Sequence, residues 1–151
     1  MKTLLYIIFT FISMNTYSQS KECFSLKIYA YPMNTFTKIP ITANGIKDAA
    51  TFKHKIKNGN SFIEMLEKRL ASKEEYKEEL KSKGQVRIYI EVYNKKNIIS
   101  DIIIHKGVYV EYKNKIYEMD DELMLQILEL IPKKKRADFT PMNLLDENNK
   151  K

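Results

Sequence analysis

The sequence is poor in the residue types that usually mark a reactive site. Among its 151 residues it has one cysteine, Cys23, no tryptophan and four glycines. One cysteine excludes an intramolecular disulfide, so the fold depends on its apolar core. The few glycines form no phosphate-binding loop, and no G-x-S-x-G nucleophile elbow is present. The sequence thus lacks the local motifs of the common nucleotide-binding proteins and serine hydrolases.

Histidine is also scarce, with His54 and His105 as the two examples. A zinc site needs three or four ligands, commonly at short spacings, and no cysteine or histidine pair here has such a spacing. The acidic run at 120–122 lacks the alternating ligand spacing of a calcium-binding loop. We therefore expect no metal, no cofactor and no catalytic residue that the sequence pattern alone can name.

Positive charge is plentiful but is carried almost entirely by lysine. The chain has 26 basic and 19 acidic residues, a formal net charge of +7, and its arginines are Arg69, Arg87 and Arg136. Lysine, isoleucine and asparagine share A/T-rich codons, so part of this charge reflects composition rather than a ligand. Without tryptophan or clustered arginine, the pattern of a single-strand nucleic-acid binder is weak. The lysines therefore predict at most weak contact with anionic surfaces.

The N-terminus has the order of a secretory signal peptide. Lys2 precedes an apolar run at 4–12, and a polar stretch with small residues follows. The run is too short to cross a membrane, which takes about 20 residues. Cleavage after Ser18 would remove a signal peptide over 1–18, so we expect a secreted or periplasmic protein whose mature chain has no transmembrane segment. The alternative, lipidation of Cys23, is disfavoured because two charged residues directly precede it.

Residues 19–132 predict a single α+β domain, and residues 133–151 a basic, mobile tail. Ser61 with Glu64 predicts a capping box at the start of one helix, and Asp120 predicts the N-cap of a second helix that ends at Pro132. Alternation of apolar and polar residues favours strands over 24–30, 51–57, 86–93, 98–105 and 108–112. We expect an antiparallel β-meander sheet with two helices packed on one face.

The strand pattern also predicts the pairing register. Paired residues share a face, so Ile104 should lie opposite Val108 across a three-residue loop that holds His105 in an exposed turn. The same reasoning gives two pairs in the preceding hairpin: Val92 with Ile98, and Tyr89 with Asp101.

The outer face of the predicted meander is the surface of greatest functional interest. Tyrosine and arginine together with aliphatic side chains are typical of protein contacts, and this face would carry Arg87, Tyr89, Glu91, Tyr93, Ile99, Asp101, Ile103 and Tyr109. The alternative is that residues 24–57 pack over it as a second layer. We predict an exported, non-catalytic accessory or binding protein that contacts a protein partner through this outer face.

A second hypothesis is a small secreted nuclease or phosphoesterase. Secretion, basic charge and two histidines agree with an acid–base pair, His54 and His105, that acts on a phosphodiester. The two rings would then have to lie within roughly 7 Å, the span of one phosphate group with a hydrogen bond at each end. Neither histidine has an orienting partner close in sequence, so we expect neither to be catalytic.

Overall fold

A computed structural model describes residues 23–76, 85–106 and 108–148. The expected signal peptide lies outside these residues. So do Gly84, which the sequence favours as the left-handed end of the first predicted helix, and Gly107, the last residue of the three-residue loop predicted before Val108. Along the described chain the elements are β1 (Phe24–Ala30), α1 (Ile46–Ala49), β2 (Phe52–Ile56), α2 (Asn60–Leu70), β3 (Val86–Asn94), β4 (Asn97–His105), β5 (Tyr109–Tyr112), β6 (Lys115–Glu118), α3 (Asp121–Leu128), a 3-10 helix (Lys133–Lys135), α4 (Arg136–Phe139) and α5 (Met142–Asn148).

The six strands form one sheet in the order β2-β1-β3-β4-β5-β6, and every neighbouring pair is antiparallel. Strands β3 to β6 follow one another as a meander, while β1 and β2 are added beside β3. The predicted α+β fold with an antiparallel meander is therefore confirmed, as are the strands expected near 24–30 and 51–57.

Both faces of the sheet contribute to hydrophobic clusters. On the first face, Ile28, Ile90 and Ile102 lie in one cross-strand row and belong to the larger cluster, which also contains Leu66 of α2 and Leu123 of α3. The second face carries a smaller cluster that joins strand residues to the segment around α1: Tyr29, Ile41, Ile46, Val86, Tyr89 and Ile103. Helix α1 was not predicted, and it covers part of the face that the alternative hypothesis assigned to residues 24–57.

The β4–β5 hairpin differs from the predicted register. Ile104 lies opposite Val110 rather than Val108, and His105 lies opposite Tyr109. The loop has three residues as expected, but it occupies 106–108 because Lys106 itself adopts a left-handed φ of 45° and starts the turn. His105 therefore belongs to the strand, and the prediction of an exposed turn position was wrong.

The two-residue turn and one bulge account for the errors in the predicted β3–β4 register, and a second bulge lies farther along the strand pair. Observed pairs are Val92 with Ser100, Tyr93 with Ile98, and Tyr89 with Ile103. Between the first two pairs, Ile99 is an extra residue, and the hairpin closes over 95–96 with Lys95 at a φ of 57°. The second bulge makes Arg87 an extra residue of β3 and moves Val86 to the second face.

The helix starts depend on different contacts. Asp120 accepts a hydrogen bond from the Leu123 amide at 2.8 Å, which confirms the predicted N-cap of α3. Helix α2 begins at Asn60 without a side-chain cap, so the Ser61 capping box was wrong. Its entry is fixed by β1 instead, because the Asn60 side chain accepts from the Phe24 amide at 2.8 Å.

The predicted basic tail is largely folded against the domain. Residues 133–148 form the 3-10 helix, α4 and α5, and Phe139 and Leu144 are buried in the larger hydrophobic cluster. The Met33 amide donates to the Asp138 carbonyl at 3.0 Å, which attaches this segment to the chain that follows β1. Residues 149–151 lie outside the described residues.

Candidate functional site

The two histidines do not converge. His54 is exposed in β2 opposite Ile28, on the first face of the sheet, whereas His105 lies at the end of β4 on the second face. Strands β2 and β4 are separated by three strand spacings, which amount to about 14 Å. This separation is twice the span of a single phosphate group, so the arrangement does not support a shared acid–base reaction.

His105 is a core-edge residue with 4% of its surface exposed. Its Nε2 lies 3.4 Å from Glu111 Oε2 on β5. Burial lowers the pKa of His105, and the Glu111 carboxylate opposes that effect only in part. The ring is therefore held as a neutral imidazole near neutral pH, packed beside the chain turn at 106–108.

Glu91 is the centre of the polar network on the second face. It is 2% exposed and accepts hydrogen bonds from Lys47 at 2.5 Å and from the Tyr93 hydroxyl at 2.8 Å. The Tyr29 hydroxyl lies 3.3 Å from the same carboxylate. Burial alone would raise the pKa of Glu91, but the Lys47 and Tyr93 hydrogen bonds outweigh it and the pKa is lowered. The network fixes α1 to the sheet.

Tyr89 extends this network toward β4. Its hydroxyl donates to Asp101 at 3.1 Å, and its ring lies under the Lys47 ammonium at 5.2 Å. Burial and the adjacent carboxylate raise the pKa of Tyr89, so its hydroxyl stays a proton donor over the physiological range. This hydrogen bond holds the Asp101 carboxylate in a fixed orientation on the second face, where Asp101 is half-buried.

Half of the residues expected on an open outer face are covered. Arg87, Tyr89, Glu91 and Ile103 are buried, the first at 1% exposure. Because Arg87 is a bulge residue, its guanidinium is redirected over the Tyr31 ring and donates to the Thr35 carbonyl at 3.0 Å. The part of the face that α1 leaves open, which we call the open strip, consists of Tyr93, Ile98, Ile99, Asp101 and Glu111.

Charge is divided across the second face. Lys55, Lys27, Glu91 and Asp101 follow one another in a single cross-strand row. Lysines therefore occupy the β2–β1 side, and carboxylates occupy the β4–β5 side, where Glu111 lies beside Ile103. Lys47 neutralises Glu91 in the middle. A chain of net charge +7 thus presents carboxylates along its open strip.

A separate cavity of about 700 Å³ lies between α2 and the start of α3, lined by Met65, Lys68, Arg69, Ser72, Lys73, Asp120 and Gln126. Three of its charged residues, Arg69, Lys73 and Asp120, form ion pairs. Arg69 contacts Asp120 and Glu122, each at 2.9 Å, and Lys73 contacts the other Asp120 oxygen at 2.5 Å. Burial opposes ionisation, but the bonds from Lys73, the Leu123 amide and Arg69 lower the pKa of Asp120 to about 2. This cluster joins two helices and needs no ligand for its charge balance.

Comparisons with known proteins add no family or relative. No protein-family model matches the chain, no curated protein matches it, and no solved structure matches its fold. Within the described residues, no group of three or more His, Cys, Asp or Glu side chains could hold a metal ion. None of the described helices is both long and apolar enough to cross a membrane. A functional proposal for this chain therefore has to rest on the surface features of the described domain.

Proposed function

We propose that this chain is an exported, non-catalytic accessory protein that binds a partner protein through the open strip. The supporting observation is the combination of half-exposed Ile98, at 53%, with Tyr93 and Asp101, whose positions are fixed by hydrogen bonds. Aromatic and aliphatic groups already ordered in the free protein lose little conformational entropy on binding. Such a surface favours a specific contact over a solvated sheet face.

The charges of the open strip indicate the character of the partner. Asp101 and Glu111 lie on neighbouring strands, two residues apart in register, and both are partly accessible. A partner that carries lysine or arginine opposite them would match this surface electrostatically. We therefore expect a basic patch on the partner, with an apolar side chain that contacts Ile98 or Ile99.

The proposal of export depends on the N-terminal sequence. Intact-mass measurement of the exported protein should give a chain that starts at Gln19. Retention of Met1, or the added mass of a diacylglycerol on Cys23, would contradict cleavage after Ser18.

Site-specific photo-crosslinking tests the partner interface. A benzophenone side chain placed at Ile98 should capture one defined partner in the native compartment, and the same group at Leu125 should not. Leu125 is a matched control because it is 46% exposed and lies on α3, away from the second face. Introduction of Asp101→Lys into the Ile98 probe should abolish the product. Equal crosslinking from both positions, or a product that survives Asp101→Lys, would refute the proposed interface.

The nuclease hypothesis has its own test. A nuclease and phosphoesterase screen compares the purified exported protein with variants His54→Asn and His105→Asn. We expect no activity that depends on either histidine, because the rings lie on opposite faces of the sheet. Activity that both single substitutions remove would replace the binding function with an enzymatic one.

A further inference from the structure

The three most exposed large hydrophobic side chains of the described residues belong to two segments that touch. Phe36 is 90% exposed, Ile39 is 79% exposed and Met142 is 59% exposed. Phe36 and Ile39 lie in the loop that follows β1, and Met142 begins α5. Single exposed apolar residues are common on protein surfaces, but three of this exposure on two segments that are joined by hydrogen bonds are not.

Hydrogen bonds hold these two segments together. The Met33 amide donates to the Asp138 carbonyl at 3.0 Å, and the Asn34 side-chain amide donates to the Thr140 carbonyl at 2.9 Å. Met33 itself is 1% exposed, so the loop is anchored in the core three residues before Phe36. The backbone segments that carry these exposed side chains are therefore held in place by hydrogen bonds.

The base of the loop has a second anchor. Arg87 is 1% exposed and donates to the Thr35 carbonyl at 3.0 Å. This bond holds the backbone at the residue directly before Phe36, and the Phe36 and Ile39 side chains are left exposed at 90% and 79%.

Lysines surround the same place. Lys38 lies between the two apolar loop residues, and the exposed run Lys133–Lys135 directly precedes α4. Lys135 lies 5.5 Å from the centre of the Phe52 ring, at the start of the edge strand β2, which also carries exposed Lys53. Lysines from three separate parts of the sequence thus lie on or beside the segments that carry the apolar side chains, together with one exposed carboxylate, Asp138.

We propose that this end of the molecule docks on an anionic phospholipid bilayer, with Phe36, Ile39 and Met142 inserted at the headgroup–acyl boundary and the surrounding lysines on lipid phosphates. Apolar side chains flanked by lysine are the common composition of interfacial membrane contacts. A bilayer accepts isolated protruding side chains without a complementary pocket, whereas a protein partner would need one for each of them.

The docking end and the Tyr93–Ile98 part of the open strip lie at opposite ends of the sheet. Arg87 is near the start of β3 and Tyr93 is near its end, so about 20 Å of strand separates them. A membrane-bound molecule would therefore keep this part of the open strip free. The inference goes beyond the proposed protein contact and does not depend on it.

Intrinsic fluorescence gives a direct test, because the chain has no tryptophan. The protein is purified from the compartment to which the cell delivers it, with its N-terminus established by intact mass. The variant Phe36→Trp should show a blue-shifted emission with vesicles of phosphatidylglycerol and phosphatidylcholine in equal parts, and no shift with pure phosphatidylcholine. The control Leu125→Trp should show no shift with either. An unshifted Phe36→Trp emission, or an equal shift in the control, would overturn the proposal.

Binding measurements separate the apolar and charged contributions. Phe36→Ser combined with Ile39→Ser should weaken vesicle binding by on the order of tenfold or more. Lys133→Gln with Lys134→Gln should weaken it by about fivefold for each lysine, and raised salt should have the same effect. Matched controls at the opposite end of the sheet are Ile98→Ser, and Lys95→Gln with Lys96→Gln, which should change binding by less than about twofold. Circular dichroism establishes that each variant is folded.

Losses of equal size in the docking-end and control variants would show unspecific adsorption of a basic protein and overturn the proposal. Absence of binding to anionic vesicles would do the same, and would assign the exposed tips to a protein partner. Neither result would bear on crosslinking from Ile98, so the two proposals fail separately.

Discussion

Replacement of Glu91 by glutamine should lower the free energy of unfolding by about 2 kcal/mol. The carboxylate is almost fully buried and accepts two bonds of ordinary or short length, from Lys47 and Tyr93. Glutamine has nearly the same shape, so the substitution changes charge without leaving a cavity. The experiment therefore measures the electrostatic part of the contact between α1 and the sheet.

The magnitude follows from the two donors. A hydrogen bond to a charged group contributes roughly 1.5–3 kcal/mol, and a neutral one roughly 0.5–1.5 kcal/mol, so each donor loses about 1 kcal/mol. The Lys47 side chain is 40% exposed and can turn to water, which limits the cost on its side. Tyr29, at 3.3 Å, adds little. These contributions sum to about 2 kcal/mol.

The pH dependence has a definite sign. In the folded protein the pKa of Glu91 is lowered from its ordinary value of 4.5, so the unfolded chain binds more protons in the window below that value. The stabilisation is fully present above pH 4.5 and is lost as pH falls through the folded-state pKa. The stability difference between the parent protein and Glu91→Gln should therefore shrink below about pH 4.5.

Urea unfolding followed by circular dichroism, at several pH values from 7 to 3, measures this difference. Glu129→Gln is the control, because Glu129 is exposed at the end of α3 and should change stability by less than about 0.5 kcal/mol. A Glu91→Gln effect no larger than that of the control, or one that stays constant across the pH range, would refute the network as a source of stability.

Four further substitutions test the packing of the domain by chemical denaturation. Gly59→Ala should cost about 2 kcal/mol or more, since an added Cβ would lie 2.5 Å from Leu26 Cγ, and a neutral effect would contradict this contact. Asp120→Ala should cost about 1 kcal/mol through loss of the α3 cap and its partly exposed ion pairs, with the difference disappearing between pH 3.8 and about 2. His105→Asn should cost about 2 kcal/mol and His54→Asn less than about 0.5 kcal/mol, and equal costs would refute the assigned burial.

The alternation of residues was enough to locate the strands but not to fix their register. Period-two patterns identify the inward set in 88–92 and 102–104, and both sets lie on the first face as expected. A bulge residue adds one position without changing the local pattern, so nothing in the alternation marks Ile99 or Arg87 as extra. The positive φ values at Lys95 and Lys106 were also unforeseeable, because lysine has no preference for that conformation.

The residues that cover the second face of the sheet show no periodic pattern in the sequence. Helix α1 has four residues, about one turn, and contributes Ile46 as its buried side chain. Phe139 and Leu144 are likewise isolated apolar residues in short helices, and their burial depends on contacts with a segment about 100 residues earlier. Short elements fixed by long-range contacts escape sequence patterning, whereas the helix that follows Asp120 was recognisable from its cap and its apolar stripe.

Net charge was a poor guide to the candidate surfaces because the charges are segregated by the topology. The order β2-β1-β3-β4 places Lys55 and Lys27 next to each other, and like charges directly opposite across a strand pair are unfavourable. Lysine on an edge strand also prevents edge-to-edge aggregation, which explains Lys53 and Lys55 on β2 but not Lys27 on the interior strand β1. The same order collects Asp101 and Glu111 on the other side of α1. A net charge of +7 therefore describes neither surface, and the two proposed contacts, with an anionic membrane and with a basic partner protein, would use differently charged parts of the same sheet.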